Sequence, residues 1–417
     1  MSCKYNVFIA ESDFFVNFGS DTQNYSIMKS NLTFSTFIPT RLLFGCGEIA
    51  RLATEKLPGK KALVVISAGT SMKKYGYLDK VVSLLAQGGV ESVVYDKILP
   101  NPVRAHVMEA AGVCRSERCD FVVGLGGGSS VDSAKAIAVM ACNDGDYWDY
   151  VNAGSGKGRP VAGALPIVAI PTTAGTGTEA DPWAVITNEE LHEKIGFGGD
   201  FTFPVLSIVD PELMVSVPAK FTALQGFDAF FHASEGYIAN CSTPVSDLYA
   251  LEAVRLLAKY LPEAVANGGN IKARTKVALA SMLAGMVEST SSCTSEHSME
   301  HAMSAFCPEL PHGAGLIALS DAYFSAFRAD CVKRYMKMAE AMTGHPSSAP
   351  EDFLVALRRM QKSCGVDDIK VSDWGVRKED LPAMVQNARH TMGGLFGFDP
   401  RPLTDDEVLD IYRMSYR

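Results

Sequence analysis

The feature that most constrains this chain is a change of rhythm at Asp210-Pro211. Before it, short β-branched runs alternate with segments of helical spacing. Lys61–Ser67 (KALVVIS), residues 92–95, 121–124 and 166–170, and Leu206–Val209 read as buried strands. Residues 77–86, 105–116 and 131–142 read as helices between them. Strand, helix, strand in that order predicts a parallel α/β sheet. Beyond Pro211 the strand-like runs stop. Apolar residues then recur at helical spacing over 227–239, 244–260, 271–288, 298–306, 330–342, 350–362 and 407–415. A chain of 417 residues also exceeds one ordinary core. The expected organisation is therefore an extension of no clear period over 1–36, an α/β domain over 37–210, and an all-helical domain over 211–417. The cleft between two such domains is a preferred ligand position.

Charge narrows the partners. The net charge is −9 with no strongly basic stretch, which argues against nucleic acid. An anionic ligand would have to be held by local donors. No apolar run reaches the ~18–20 residues of a membrane span, and the N-terminus lacks the pattern of a signal peptide. Ten cysteines occur without a C-x-x-C pair, as expected of reduced thiols in a cytoplasmic protein. A homodimer is the base-rate expectation.

Two loops suggest a nucleotide. Residues 121–135 read FVVGLGGGSSVDSAK, a strand running through Gly127, Gly128 and Ser129 into a helix. Glycines let a backbone approach a phosphate, and the amides opening the helix face an anion. The spacing is neither that of a standard Rossmann turn nor that of a Walker loop. Residues 171–179 read PTTAGTGTE, again directly after a strand, and present threonine hydroxyls and two glycines. Either loop alone could be an ordinary tight turn. Two of them after two strands favour a shared dinucleotide.

The eight histidines are unevenly placed, with half of them between 232 and 312. Asp228 and His232 are four apart in a helical segment, as are His297 and His301. Residues at that spacing project from one helix face. His312 lies between Pro311 and Gly313, where a helix is expected to break. A lone histidine is more often an ordinary core or surface residue. Two spaced pairs plus a loop histidine suit a divalent metal held by one carboxylate and several imidazoles, with no thiolate needed.

Taken together, these features resemble the iron-containing (group III) alcohol dehydrogenase family. The resemblance begins at Pro39-Thr40-Arg41 and Phe44-Gly45-Cys46-Gly47 and runs through Pro100-Asn101-Pro102. It includes both loops and ends at Pro400-Arg401-Pro402-Leu403-Thr404. It implies a dehydroquinate synthase-like fold, with Asp228, His232, His297 and His312 as ligands of Fe²⁺, or of Zn²⁺ or another divalent ion. His301 matches a histidine near nicotinamide and substrate, a candidate for proton relay. Asn101, Gly127, Gly128, Ser129, Asp132, Thr172, Thr173, Thr178 and Lys194 match cofactor positions. The implied chemistry is Lewis-acid polarisation of a small alcohol or aldehyde with hydride exchange at the nicotinamide.

The chain departs from the family pattern in places. His297 and His312 are fifteen positions apart, one more than usual, and Ala302-Met303-Ser304 replaces the usual Pro-Leu-Gly. Asp181 and Trp183 also differ from the usual neighbours. The end of the first strand, with Ser67, Gly69 and Ser71 followed by Lys73 and Lys74, is similar to that of the NADPH-using butanol and aldehyde reductases. It carries no carboxylate to repel a 2′-phosphate, so NADP(H) is favoured over NAD(H). A glycerol or polyol dehydrogenase of the same fold is the near alternative. A metal-dependent hydrolase is the distant one, and it leaves both loops unexplained.

Overall fold

Eight strands are found among the described residues: β1 (Arg41–Phe44), β2 (Lys61–Ser67), β3 (Glu91–Ile98), β4 (Phe121–Gly126), β5 (Ile167–Pro171), β6 (Ala184–Asn188), β7 (Glu193–Phe197) and β8 (Leu206–Val209). Six pair in parallel in the order β1-β8-β5-β4-β2-β3, while β6 and β7 form a separate antiparallel hairpin. The structure is a computed structural model that describes residues 33–417. Most of the extension expected over 1–36 therefore lies outside the described residues. Thr36–Arg417 form one compact unit.

The central strands are apolar throughout because both faces of the sheet are covered. In β2, Ala62, Val64 and Ile66 face a core shared with Val81 and Leu85. Leu63 and Val65 face a second core shared with Ala110, Ala134 and Ile137. The first core lies under α2 (Tyr77–Gln87), which follows the short α1 (Ser71–Lys74). The second lies under α3 (Arg104–Ser116) and α4 (Gly128–Cys142). Each Val or Leu buried in this way contributes about 1.5–3 kcal/mol.

The chain leaves β2 for β3 on one side and later continues from β4 to β5 on the other. Its winding reverses between β2 and β4. Open α/β sheets bind ligands beyond the carboxyl ends of strands at such a reversal. The segment after β2 and the glycine-rich loop after β4 both lie there. β5 pairs beside β4, with Gly126 opposite Pro171, so the threonine-rich loop is held against the glycine-rich one.

Beyond β8 the described chain is helical: α5 (Ala219–Ile238), α6 (Pro244–Ala266), α7 (Ile271–Thr290), α8 (Ser295–Phe306), α9 (His312–Ala326), α10 (Val332–Thr343), α11 (Glu351–Ser363), α12 (Leu381–Met392) and α13 (Asp405–Ser415). From Phe227 to Ile238, α5 is buried on every side. Such a helix belongs at the centre of a bundle. Its Phe230 and Phe231 pack against Phe353 and Phe324. None of the described helices is long and apolar enough to cross a membrane.

The two halves press together through backbone. Gly177 has φ +65°, in the left-handed region, and a Cβ on Gly285 of α7 would lie 2.0 Å from the Gly177 carbonyl oxygen. Glycine is required on both sides of this contact.

Several elements depart from the expectation. β1 is short and lies at the sheet edge, and the charged turn of the β6–β7 hairpin hides its alternation. Helix α12 was likewise not anticipated. His312 opens a helix rather than sitting at a break. Pro311 precedes the first turn, where its missing N–H costs nothing. Gly313 lets that turn reach the α5 backbone, since a Cβ there would lie 2.2 Å from the Leu224 oxygen.

Candidate active site

Three helices bring the predicted metal ligands together. α5 supplies Asp228 and His232, α8 supplies His297, and the first residue of α9 is His312. One ligand atom from each lies within 4.8 Å of all the others. The Asp228 Oδ1 is 3.6 Å from His232 Nε2, 3.7 Å from His297 Nε2 and 3.3 Å from His312 Nε2. Asp228 Oδ1 and His297 Nε2 are buried without a hydrogen-bond partner. Buried polar atoms are rarely left so. Converging ligand atoms of one carboxylate and three imidazoles, two of them orphaned, fit a divalent cation.

The electrostatics differ among the four groups: His297 and His312 are raised despite burial, with Glu235 among the charges raising the first and Glu300 the second. Burial alone raises the Asp228 carboxyl, but the surrounding imidazoles of His232, His312 and His297 hold it well below the usual range. Burial pushes His232 down to about 4, so its imidazole is neutral, the form that ligates. Two carboxylates outside the ligand set fix the other ring nitrogens. His297 Nδ1 bonds Glu235, and His312 Nδ1 bonds Glu300. Such partners set the tautomer and the ring orientation. Glu235 also accepts from the Thr294 amide at 2.8 Å, and Asp399 accepts from the Ser295 amide at 2.9 Å. The orphan amides opening α8 are thereby satisfied, and His297 is held in place.

His301 lies one turn beyond His297. Its ring centroid is 5.3 Å from that of His312. Burial first, and then the charges of Lys194 and His312, keep it well below the usual histidine range. Its Nδ1 is buried and unpartnered.

The predicted cofactor residues divide into two groups. Ser67, Gly69, Ser71, Gly127, Gly128, Ser129 and Thr173 are all at least partly exposed, at the carboxyl ends of β2, β4 and β5. Asp132, Thr172, Thr178 and Lys194 are buried. The Thr178 hydroxyl, expected to face diphosphate or ribose, instead donates to Asp132 Oδ1 at 2.7 Å and accepts from Lys135 Nζ at 2.6 Å. Lys135, fully buried, also donates to the Asp181 carboxylate at 3.0 Å and the Trp183 carbonyl at 2.8 Å. Asp132 receives the Val185 amide at 3.1 Å, and burial raises it to about 6 despite Lys135. This network ties the two loops to each other and to β6. Lys194 pairs with Glu300 at 3.4 Å. Asn101, at φ +53°, donates to the Pro308 carbonyl at 2.9 Å and so clasps the helical half. Lys73 pairs with Asp96 at 2.5 Å.

Sequence reasoning missed Glu235, Glu300 and Lys135. A signal was present, because each stands three residues after an assigned residue: His232, His297 and Asp132. It was not distinctive, since charged residues at that spacing are common on helices.

The comparisons agree with this architecture. The family model for iron-containing alcohol dehydrogenase matches residues 39–211. The model for the C-terminal part of the Fe-containing alcohol dehydrogenase family matches 222–416. A NAD-dependent methanol dehydrogenase of Bacillus methanolicus is 35% identical over 360 residues, covering 84% of this chain and 92% of that protein. A choline dehydrogenase of Bacillus subtilis is 39% identical over 349 residues, covering 83% and 80%. The crystal structure of an archaeal halo-thermophilic Red Sea brine pool alcohol dehydrogenase superposes with TM-score 0.88 at 34% identity, covering 92% of this chain and 99% of that one. The chain belongs to the iron-containing alcohol dehydrogenase family and is an oxidoreductase of alcohols.

Proposed function

We propose that Asp228, His232, His297 and His312 hold one divalent metal, iron first and zinc as the alternative. On this reading the enzyme exchanges hydride between NADP(H) and a small primary alcohol or its aldehyde. The single observation that carries the proposal is the convergence of four ligand atoms within 4.8 Å of one another, two of them orphaned. When bound, the metal supplies Lewis acidity to the substrate oxygen and the nicotinamide supplies or accepts the hydride. The chain's own residues do the rest. Glu235 and Glu300 orient the ligating imidazoles. The Lys135 network holds the loops that shape the dinucleotide cleft. His301, neutral and with a free buried nitrogen, takes the alcohol proton toward solvent. Methanol and choline, named for two relatives, are both primary alcohols, which supports that substrate class.

For the cofactor, β2 ends at Ser67 without a carboxylate, which favours a 2′-phosphate. The Lys73–Asp96 pair favours the second reading, NAD(H), because it occupies one of the two available lysines. Metal analysis combined with fluorescence titration of NADH and NADPH tests both parts. Absence of nicotinamide binding overturns the dehydrogenase reading, and full turnover by metal-free protein overturns the metal's role. For His301, the Ala variant is expected to lose about 10²-fold in turnover at full metal content. Unchanged turnover removes His301 from the mechanism.

A further inference from the structure

We propose that Asp399, which hydrogen-bonds to none of the four proposed ligands, is a positioning residue of the metal site. It belongs to a short segment, 397–401, that fastens the three ligand-bearing helices to one another. This inference rests on the metal reading above and concerns how that site is held ready for its ion.

The proposed ligands stand on α5, α8 and α9, and segment 397–401 lies between α12 and α13. It reaches all three ligand-bearing helices. Just past the end of α5, the Asn240 side chain donates to the Gly397 carbonyl at 2.8 Å and to the Asp399 carbonyl at 3.0 Å. The Asn240 amide donates to the Phe398 carbonyl at 3.0 Å. At the start of α8, the Ser295 amide donates to Asp399 Oδ1 at 2.9 Å. From α9, the Tyr323 hydroxyl lies 3.0 Å from the same oxygen. Arg401 Nη2 donates at 3.5 Å to the carbonyl of Ala326, the last residue of α9. Asp399 and Tyr323 are both buried.

Asp399 Oδ1 is thus the atom at which α8 and α9 meet. Asp399 Oδ2 is buried without a partner, so Oδ1 alone does the holding. Tyr323 extends the connection toward the site. Its hydroxyl is also 2.8 Å from Thr294 Oγ1, which donates to Glu235 Oε2 at 2.8 Å, and Glu235 bonds His297 Nδ1. Removing Oδ1 takes this acceptor from the Ser295 amide, one of the orphan donors that open α8, and from a buried hydroxyl. His297 lies two residues past Ser295, in the first turn of the same helix, so a loosened start reaches a ligand directly. Ligands that are already in place bind an ion more tightly than ligands that must first be ordered. The loss should therefore appear in metal affinity. The glycine-rich and threonine-rich loops share no hydrogen bond with Asp399, so nicotinamide affinity should not follow.

The test uses the full chain and Co²⁺, whose visible absorption reports the geometry of its ligands. Affinity is measured by chelator competition. Asp399→Ala is expected to weaken Co²⁺ binding about ten-fold and to alter the absorption band. Asp399→Asn keeps an acceptor at the Oδ1 position and should restore both affinity and band. Tyr323→Phe removes one bond of the set and should weaken binding about three-fold, which keeps the inference testable if the Ala variant does not fold. NADPH fluorescence should give wild-type affinity throughout. A merely structural role would lower the melting temperature of the metal-free variants while leaving Co²⁺ affinity and absorption unchanged. In that case the inference falls and the metal reading stands. Equal losses in Asp399→Asn and Asp399→Ala likewise overturn it, because the acceptor is then not what matters. A wild-type chain that takes up neither Co²⁺, Fe²⁺ nor Zn²⁺ overturns the metal reading itself.

Discussion

The two sides of the active-site cleft are built on opposite principles. On the sheet side, polar groups close on one another: Lys135, Thr178, Asp132 and Asp181 Oδ1 bond among themselves and to nearby backbone. On the helical side, polar atoms converge and stay open: Asp228 Oδ1 and His297 Nε2 have no partner. The first arrangement is complete before any ligand arrives and gives a rigid cradle. The second would be completed by the proposed cation. One side should therefore depend on its own residues for stability, and the other on metal.

The largest effect should separate the two directly. His297→Ala or Asp228→Asn should remove the metal and about 5 kcal/mol of barrier reduction, on the order of 10⁴-fold in turnover. Nicotinamide binding should survive, as read by NADPH fluorescence. Chelation of the wild type should lower the melting temperature in the same way, because bound metal stabilises by mass action. A variant that kept full metal content would show that the four groups are not the ligand set.

Next in size, Lys135→Met should reverse the pattern. It leaves Asp132 and Asp181 buried without their counter-charge, at a cost of about 3–5 kcal/mol in unfolding free energy. Urea denaturation should show that loss even in fully metal-loaded protein. A stability unchanged by this substitution would mean that the sheet side is not held by its own network.

Glu300 blurs the comparison, since it touches both His312 and Lys194. Glu235→Ala and Glu300→Ala should each weaken metal affinity about 10–100-fold in chelator competition. Only Glu300→Ala should also weaken nicotinamide binding, by freeing Lys194. Equal nicotinamide affinity in both variants would confine Glu300 to the helical side. The smallest effect concerns the far end of the cofactor. Ser67→Asp should shift the NADPH-to-NADH preference about ten-fold toward NADH, measured by paired titrations.

Much of this was legible in the chain itself, and unevenly so. The central sheet strands stood out because both-face burial makes them continuous apolar runs, as in β2. Asp228 and His232 were legible because helical geometry alone places residues four apart on one face. The β6–β7 hairpin was hidden, because its charged turn interrupts the alternation. The helical start at His312 was hidden because Pro and Gly mark a break in one context and a helix opening in another.

What the sequence determined by itself was the change from sheet to bundle at residue 210, the two loops after strands, and the short-range pairs that seed the metal site. Each depends on periodicity or spacing within a few turns, which local backbone geometry fixes. Tertiary structure alone decided which carboxylates stand behind the histidines, where the Thr178 hydroxyl points, and that Lys135 meets Asp181. Glu235 meets His297 across 62 residues, and Lys135 meets Asp181 across 46. No local rule links positions so far apart. They meet because burying two faces of a sheet and every face of α5 leaves the chain one way to pack.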